Sequence, residues 1–178
     1  MTFLQISNYA LWCSMIFLYY LHFKKGKSSS ETINYNQGTI SESDHGIDRG
    51  RDFPIMEFIS NEGNKTKVSG EGESLVIITS ASCLPCNSVY RSLPKFTKKH
   101  PDTRVVLFMI GLIEQINQKI IEENIQLPVC PVHPKDLDIL ETRIFPFGYR
   151  LNGAGKVVCK GLVNTDLEMV NILNCKGI

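Results

Sequence analysis

The sequence predicts an α/β domain with a mixed central sheet flanked by helices. Two continuous apolar runs, Ser74 to Ser80 and Thr103 to Ile110, lack polar alternation, which is typical of strands buried on both faces. Each run precedes a segment with helical spacing of its apolar residues, Asn87 to His100 and Ile113 to Asn124. This strand–helix–strand–helix order indicates a mixed α/β architecture.

Shorter elements complete the predicted domain. Asp52 to Ser60 is predicted as a short edge strand, because Pro54 is tolerated only at an edge or a strand start, and the polar residues 61–65 could turn it into a hairpin. A short helix is predicted at Lys135 to Thr142. It follows a stretch interrupted by three prolines: Pro128, Pro131 and Pro134.

The last third of the chain is predicted to form a strand pair and a closing helix. Phe147 to Leu151 and Lys156 to Cys159 are predicted strands. Residues 152–155 between them contain the glycines that a tight reversal needs. Asp166 to Leu173 is predicted as the final helix.

Size and charge limit the functions that the chain can have. With 178 residues, 43% of them hydrophobic, the chain is expected to form one globular domain plus appendages. Its 19 basic and 18 acidic side chains give a net charge of +1, which creates no broad field for binding nucleic acid. Six cysteines are too few for a small disulfide-stapled scaffold.

The N-terminal region predicts a membrane anchor and a tether. Residues 3–23 carry no Asp, Glu, Lys or Arg, so residues 1–25 are predicted as a transmembrane anchor, with a buried core helix as the alternative. Nothing basic precedes the apolar run, which argues against a cleaved signal peptide. The polar residues 26–52 are predicted as a flexible linker, and residues 53–178 as the folded domain.

The orientation of this anchor is ambiguous from the sequence. Lys24, Lys25 and Lys27 follow the apolar run, and the positive-inside tendency would place that side, and the domain, in the cytoplasm. The chemistry and the resemblance described below favour the outside of the cytoplasm. We therefore expect a single-pass membrane protein with an extracytoplasmic domain.

The segment Cys83-Leu84-Pro85-Cys86 is the strongest chemical signal in the chain. It lies between a predicted strand and a predicted helix, so both sulfurs would be near a helix N-terminus, where backbone N–H groups and the helix dipole favour a thiolate. Cys83 would then attack a substrate disulfide, and the more buried Cys86 would resolve the mixed disulfide. Pro85 would keep the turn rigid.

Metal binding by these cysteines is the alternative. A zinc site would need two further ligands, and the sequence offers only Cys130 with His133; copper delivery would lack a third ligand. We therefore expect no metal and no cofactor. Cys159 and Cys175 are interpreted as structural, whereas Cys130 is a candidate third redox partner.

The segment from Leu75 to Cys86, followed by Ile144-Phe145-Pro146, resembles the thioredoxin superfamily. More narrowly, the segment from Gly148 to Thr165 is similar to the membrane-anchored methylamine dehydrogenase accessory proteins of the MauD type, within the group that includes TlpA-like thioredoxins. The resemblance covers about residues 53–174. It implies a thioredoxin-like fold and a single N-terminal anchor.

The resemblance also implies a function. The protein would be a thiol:disulfide oxidoreductase in which Cys83 and Cys86 are the redox pair, and Pro146 would be a cis-proline facing them. The backbone of Phe145 would then pair with an extended substrate segment. Leu84 would add an apolar contact beside the reactive sulfur.

The expected partner is a protein with thiols or a disulfide, in the maturation of an exported protein, together with a membrane redox partner. The alternative is a non-catalytic module that holds a client in the groove beside Pro146, with Cys83 and Cys86 inert.

The chain departs from the family pattern at three positions. Ile77 stands six residues before Cys83, where thioredoxins have a buried Asp that assists proton transfer. Ser82 replaces the usual Trp, and the helix proline appears at Pro94, eight residues after Cys86 rather than five. These departures put reductase-type proton handling and the course of the helix in doubt.

Overall fold

The computed structural model describes residues 12–16, 19, 45–70 and 72–175. The chain divides into two compact units, Met1–Gln37 and Gly38–Ile178. In the first unit, residues 12–16 are helical and exposed; the rest of the predicted anchor, except residue 19, and most of the predicted linker lie outside the described residues. None of the described helices has the length and apolar character needed to cross a membrane.

The second unit is built on a five-stranded mixed sheet. Its central strand β3 (Ser74–Ser80) pairs in parallel with β4 (Arg104–Ile110) and antiparallel with β6 (Phe147–Leu151). Strand β5 (Val129–Val132) extends the sheet beside β4, and β7 (Val157–Leu162) extends it beside β6. The predicted mixed sheet is therefore confirmed.

Both faces of this sheet are covered, which explains the continuous apolar run in β3. One face packs against helices α1 (Cys86–Lys99), α2 (Ile113–Glu122) and α3 (Asp166–Asn174). The other face packs against the segment that precedes the sheet and against the 3-10 helix Pro134–Leu140. Alternate residues of β3 point to the two cores: Leu75 and Ile77 to the helical face, and Val76 and Ile78 to the other.

Several predicted elements differ from the structure. The residues interrupted by prolines form the edge strand β5, which the sequence did not predict, and the short helix after it is a 3-10 helix. The predicted edge strand at 52–60 is reduced to β1 (Glu57–Ile59), which pairs only with β2 (Lys65–Lys67) in a separate hairpin. Helix α1 continues through Pro94, whose side chain faces solvent.

Residues 46–52 are part of the packed domain. Ile47, which the sequence assigned to the linker, is 1% exposed and lies in the core. Its N–H donates to the Tyr149 hydroxyl at 3.0 Å, and that hydroxyl donates to the Leu140 carbonyl at 2.7 Å. Gly46 has a φ of +85° and lies so close to Tyr149 that a Cβ would clash, so only glycine suits this position.

Candidate functional site

Cys83 and Cys86 form a disulfide at the start of α1, with their Cα atoms 5.4 Å apart. The loop that carries them leaves β3 and turns at once, because the Cys83 N–H donates to the Ser80 carbonyl at 3.0 Å. The sequence places the pair here because the β-branched run of β3 ends at Ser80 and Pro85 is suited to the first position of a helix.

The two sulfurs have different environments. Cys83 is partly exposed, and its neighbour Leu84 is 80% exposed, whereas Cys86 is fully buried. The Cys86 N–H donates to the Cys83 sulfur at 3.2 Å, and the first turn of α1 contains no acidic residue. A negative charge on the Cys83 sulfur would therefore meet an N–H donor and the positive end of a helix dipole.

The inner side of the site is apolar. Cys86 packs in one core cluster with Ile77, Val89 and Tyr90. Burial raises the pKa of Tyr90 to about 12, so its phenol keeps its proton at neutral pH. Among the described residues the buried polar side chains include no carboxylate.

Pro146 and Phe145 lie at the same end of the sheet as the cysteines. Their peptide bond is cis and comes directly before β6. Strand β6 pairs with β3 so that Phe147 lies opposite Ile78, which brings Pro146 beside the end of β3, where the cysteine loop begins. Phe145 is half-buried and contacts the cores on both faces of the sheet.

A hydrogen-bonded support that was not predicted from the sequence lies under the cysteine loop. The Ser88 hydroxyl lies 2.7 Å from the Pro85 carbonyl and 2.9 Å from the Asn164 carbonyl, and so links the first turn of α1 to the loop before α3. The Glu168 carboxylate accepts hydrogen bonds from the N–H groups of Asn164 and Thr165. Thr165 and Glu168 form a capping box, and its Thr-x-x-Glu spacing was the available sequence signal.

The other candidate residues are not brought to the pair. Cys130 is buried in the core on the opposite face of the sheet from Cys86, and burial raises the pKa of its thiol to about 12. The His133 Nδ1 accepts a hydrogen bond from the Lys135 N–H at 3.2 Å. Within the described part of the chain, no group of three or more His, Cys, Asp or Glu side chains is placed to hold a metal ion.

The chain matches no protein-family model and no curated protein. Solved structures do resemble it. The thioredoxin domain of a thiol-disulfide oxidoreductase from Bacteroides vulgatus has a TM-score of 0.60 and 22% identity over 70% of this chain and 95% of that one.

Two further solved structures have a similar fold. A secreted disulfide oxidoreductase of Mycobacterium tuberculosis has a TM-score of 0.57 and 9% identity, over 69% of this chain and 97% of that one. StoA of Bacillus subtilis has a TM-score of 0.55 and 14% identity, over 67% of this chain and 98% of that one. The domain therefore has a thioredoxin-like fold.

Proposed function

We propose that the protein is a thiol:disulfide oxidoreductase that exchanges disulfides with a partner protein through Cys83 and Cys86. The observation that carries this proposal is the disulfide at the start of α1, in which one sulfur is accessible and the other is buried. The similar solved structures described as oxidoreductases support the same chemistry.

The reaction follows from the difference between the two sulfurs. In the reducing direction, the Cys83 thiolate attacks a sulfur of the substrate disulfide, which forms a mixed disulfide and releases one substrate thiolate. The Cys86 thiolate then attacks the Cys83 sulfur, which forms the Cys83–Cys86 disulfide and releases the second substrate thiolate. Two electrons pass from the enzyme dithiol to the substrate, and the reverse sequence oxidises a substrate dithiol.

The substrate would lie against the exposed side of the pair. The half-buried Phe145 and the backbone before Pro146 would contact an extended substrate segment, and Leu84 would contact an apolar side chain beside the substrate sulfur. Pro85 has no backbone N–H, so this residue offers the substrate no hydrogen-bond donor.

A trapping experiment tests the roles of the two cysteines. Cys86→Ser removes the resolving thiol and should accumulate a mixed disulfide with a substrate protein through Cys83. Cys83→Ser is the matched control and should trap nothing, because the remaining thiol is buried. Equal trapping by both variants, or trapping by neither, would contradict the proposal.

The reduction potential of the full chain tests the direction. Equilibration with glutathione buffers followed by thiol tagging should give a value near or below about −230 mV for a reductant and nearer about −120 mV for an oxidant of exported proteins. A pair that never closes under oxidising buffers would refute the enzyme and favour a client-holding groove beside Pro146.

We propose, further, that residues 1–25 anchor the protein in a membrane and that the domain acts outside the cytoplasm on an exported protein. The uncharged run at residues 3–23 and the similarity of residues 148–165 to membrane-anchored MauD-type proteins support this arrangement, whereas Lys24 and Lys25 favour the reverse orientation. A reductant in this position would need a membrane redox partner as its electron supply.

Protease treatment of intact cells or spheroplasts tests the orientation. An extracytoplasmic domain should be digested without lysis, while a cytoplasmic control protein survives. Digestion only after lysis would place the domain in the cytoplasm and contradict the proposal.

A further inference from the structure

We propose that Cys159 and Cys175 form a second disulfide, which fastens the C-terminal end of α3 to strand β7. Cys159 lies within β7, and Cys175 directly follows the last residue of α3 as its C-cap. The two residues are distant in the sequence but are brought together by the fold. The proposal assigns a modification site to two thiols that the proposed redox reaction does not use.

Three observations place the thiols of Cys159 and Cys175 close together. Cys159 is opposite Arg150 in the β6–β7 register, so their side chains share a face of the sheet. The Arg150 guanidinium donates a hydrogen bond to the Cys175 carbonyl at 2.6 Å, which fixes the end of α3 over that face. The Cys175 side chain contributes to the raised pKa of the Cys159 thiol, so the two side chains are neighbours, and both pack against the same core cluster.

The two thiols differ in access, which sets the order of the chemistry. Cys159 is fully buried, and burial together with the Cys175 side chain raises the pKa of its thiol to about 12. Cys175 is partly exposed at the end of its helix. An oxidant from solution would therefore react with Cys175 first.

A low-molecular-weight disulfide such as glutathione disulfide is sufficient as the oxidant. The Cys175 thiolate attacks one sulfur of glutathione disulfide, which forms a mixed disulfide and releases one glutathione thiolate. The Cys159 thiol loses its proton and attacks the Cys175 sulfur, which forms the Cys159–Cys175 disulfide and releases the second glutathione thiolate. Two protein thiols are oxidised and one glutathione disulfide is reduced to two thiols.

This second disulfide would act away from the Cys83–Cys86 pair but on an element that supports it. The first turn of α3 lies beside α1, where Lys95 and Asp166 form an ion pair at 3.3 Å. Cys175 is nine residues further along the chain, which corresponds to about 14 Å along a helix axis. The disulfide would therefore hold the C-terminal end of α3, while the N-terminal end of the same helix carries the hydrogen-bonded support under the cysteine loop.

Peptide mapping of the full chain tests the proposal. The folded chain is incubated with glutathione disulfide, and its remaining thiols are then alkylated under denaturing conditions. The chain is digested with trypsin without reduction of its disulfides. Cleavage after Lys156, Lys160 and Lys176 places Cys159 in peptide 157–160 and Cys175 in peptide 161–176. Cys130 falls in peptide 120–135 and the Cys83–Cys86 pair in peptide 68–91.

The expected result is a disulfide-linked species containing peptides 157–160 and 161–176, while the Cys130 peptide stays alkylated. The linked peptides should be absent from the Cys175→Ser variant after the same treatment. The oxidised wild-type chain should also unfold at a higher urea concentration than oxidised Cys175→Ser, and this difference should disappear after reduction. Alkylated Cys159, a persistent glutathione adduct at Cys175, or a link from Cys159 to any other cysteine would overturn the proposal.

Discussion

Replacement of Ser88 by alanine tests whether the loop before α3 supports the cysteine helix. The Ser88 hydroxyl lies within reach of two carbonyls but has only one proton, so it donates one hydrogen bond at any moment. The substitution therefore removes the equivalent of one hydrogen bond, whose net contribution to stability is about 1 kcal/mol. Asn164 is partly buried, so its carbonyl would not be fully solvated after the loss. We expect the free energy of unfolding to fall by about 1 to 1.5 kcal/mol relative to the control.

Ser92→Ala is the matched control, because the Ser92 hydroxyl donates to the Ser88 carbonyl at 2.8 Å within the same helix. Both substitutions exchange serine for the better helix former, so the difference between them isolates the bond from α1 to the loop before α3. Urea unfolding should separate the two variants without a change in slope, and thermal unfolding should separate them by about 4 °C. Unfolding free energies that agree within about 0.3 kcal/mol would show that this bond contributes nothing.

Two further predictions concern the core. Tyr149→Phe leaves the Ile47 N–H and the Leu140 carbonyl without their shared hydroxyl, so the free energy of unfolding should fall by about 3 kcal/mol in urea titration; a loss below about 1 kcal/mol would contradict this account. Cys130, whose pKa is raised to about 12 from 9.0, should resist alkylation by iodoacetamide at pH 8 in the folded chain, because only about one thiol in ten thousand is ionised there. The unfolded chain releases this proton near pH 9 and the folded chain only near pH 12, so the free energy of unfolding should fall between these pH values. The fall should be less steep in Cys130→Ala. Equal pH dependence of the free energy of unfolding in the wild type and in Cys130→Ala would contradict this role of burial.

The sequence was sufficient to predict the elements whose hydrophobic pattern is decisive. The run at Ser74–Ser80 predicts a strand buried on both faces, and the structure places it at the centre of the sheet. The Cys-x-x-Cys segment between that strand and the next helix predicts where the two sulfurs lie, and they form a disulfide there. These features depend on residues close together in the chain, for which spacing carries the information.

Features that depend on distant residues could not be predicted in the same way. Strand β5 contains Pro131, and a proline in the sequence argues against a strand. The structure places β5 at an edge of the sheet, where the N–H groups on one side of the strand have no partner strand, so a proline is tolerated there. The contact between Cys159 and Cys175 depends on how α3 returns over the sheet. Ser88 gave no signal beyond its own polarity, because its partner Asn164 is distant in the sequence.

The burial of Ile47 determines where a shortened chain can begin. A fragment that starts at Arg51 would retain every cysteine of the domain but would lack a core side chain and the N–H that bonds Tyr149. The loss of a buried isoleucine typically costs about 2 to 5 kcal/mol, which is a large part of the stability of a single domain. Thiol reactivity measured on such a fragment would therefore describe a loosened domain, so a shortened chain should begin upstream of Gly46.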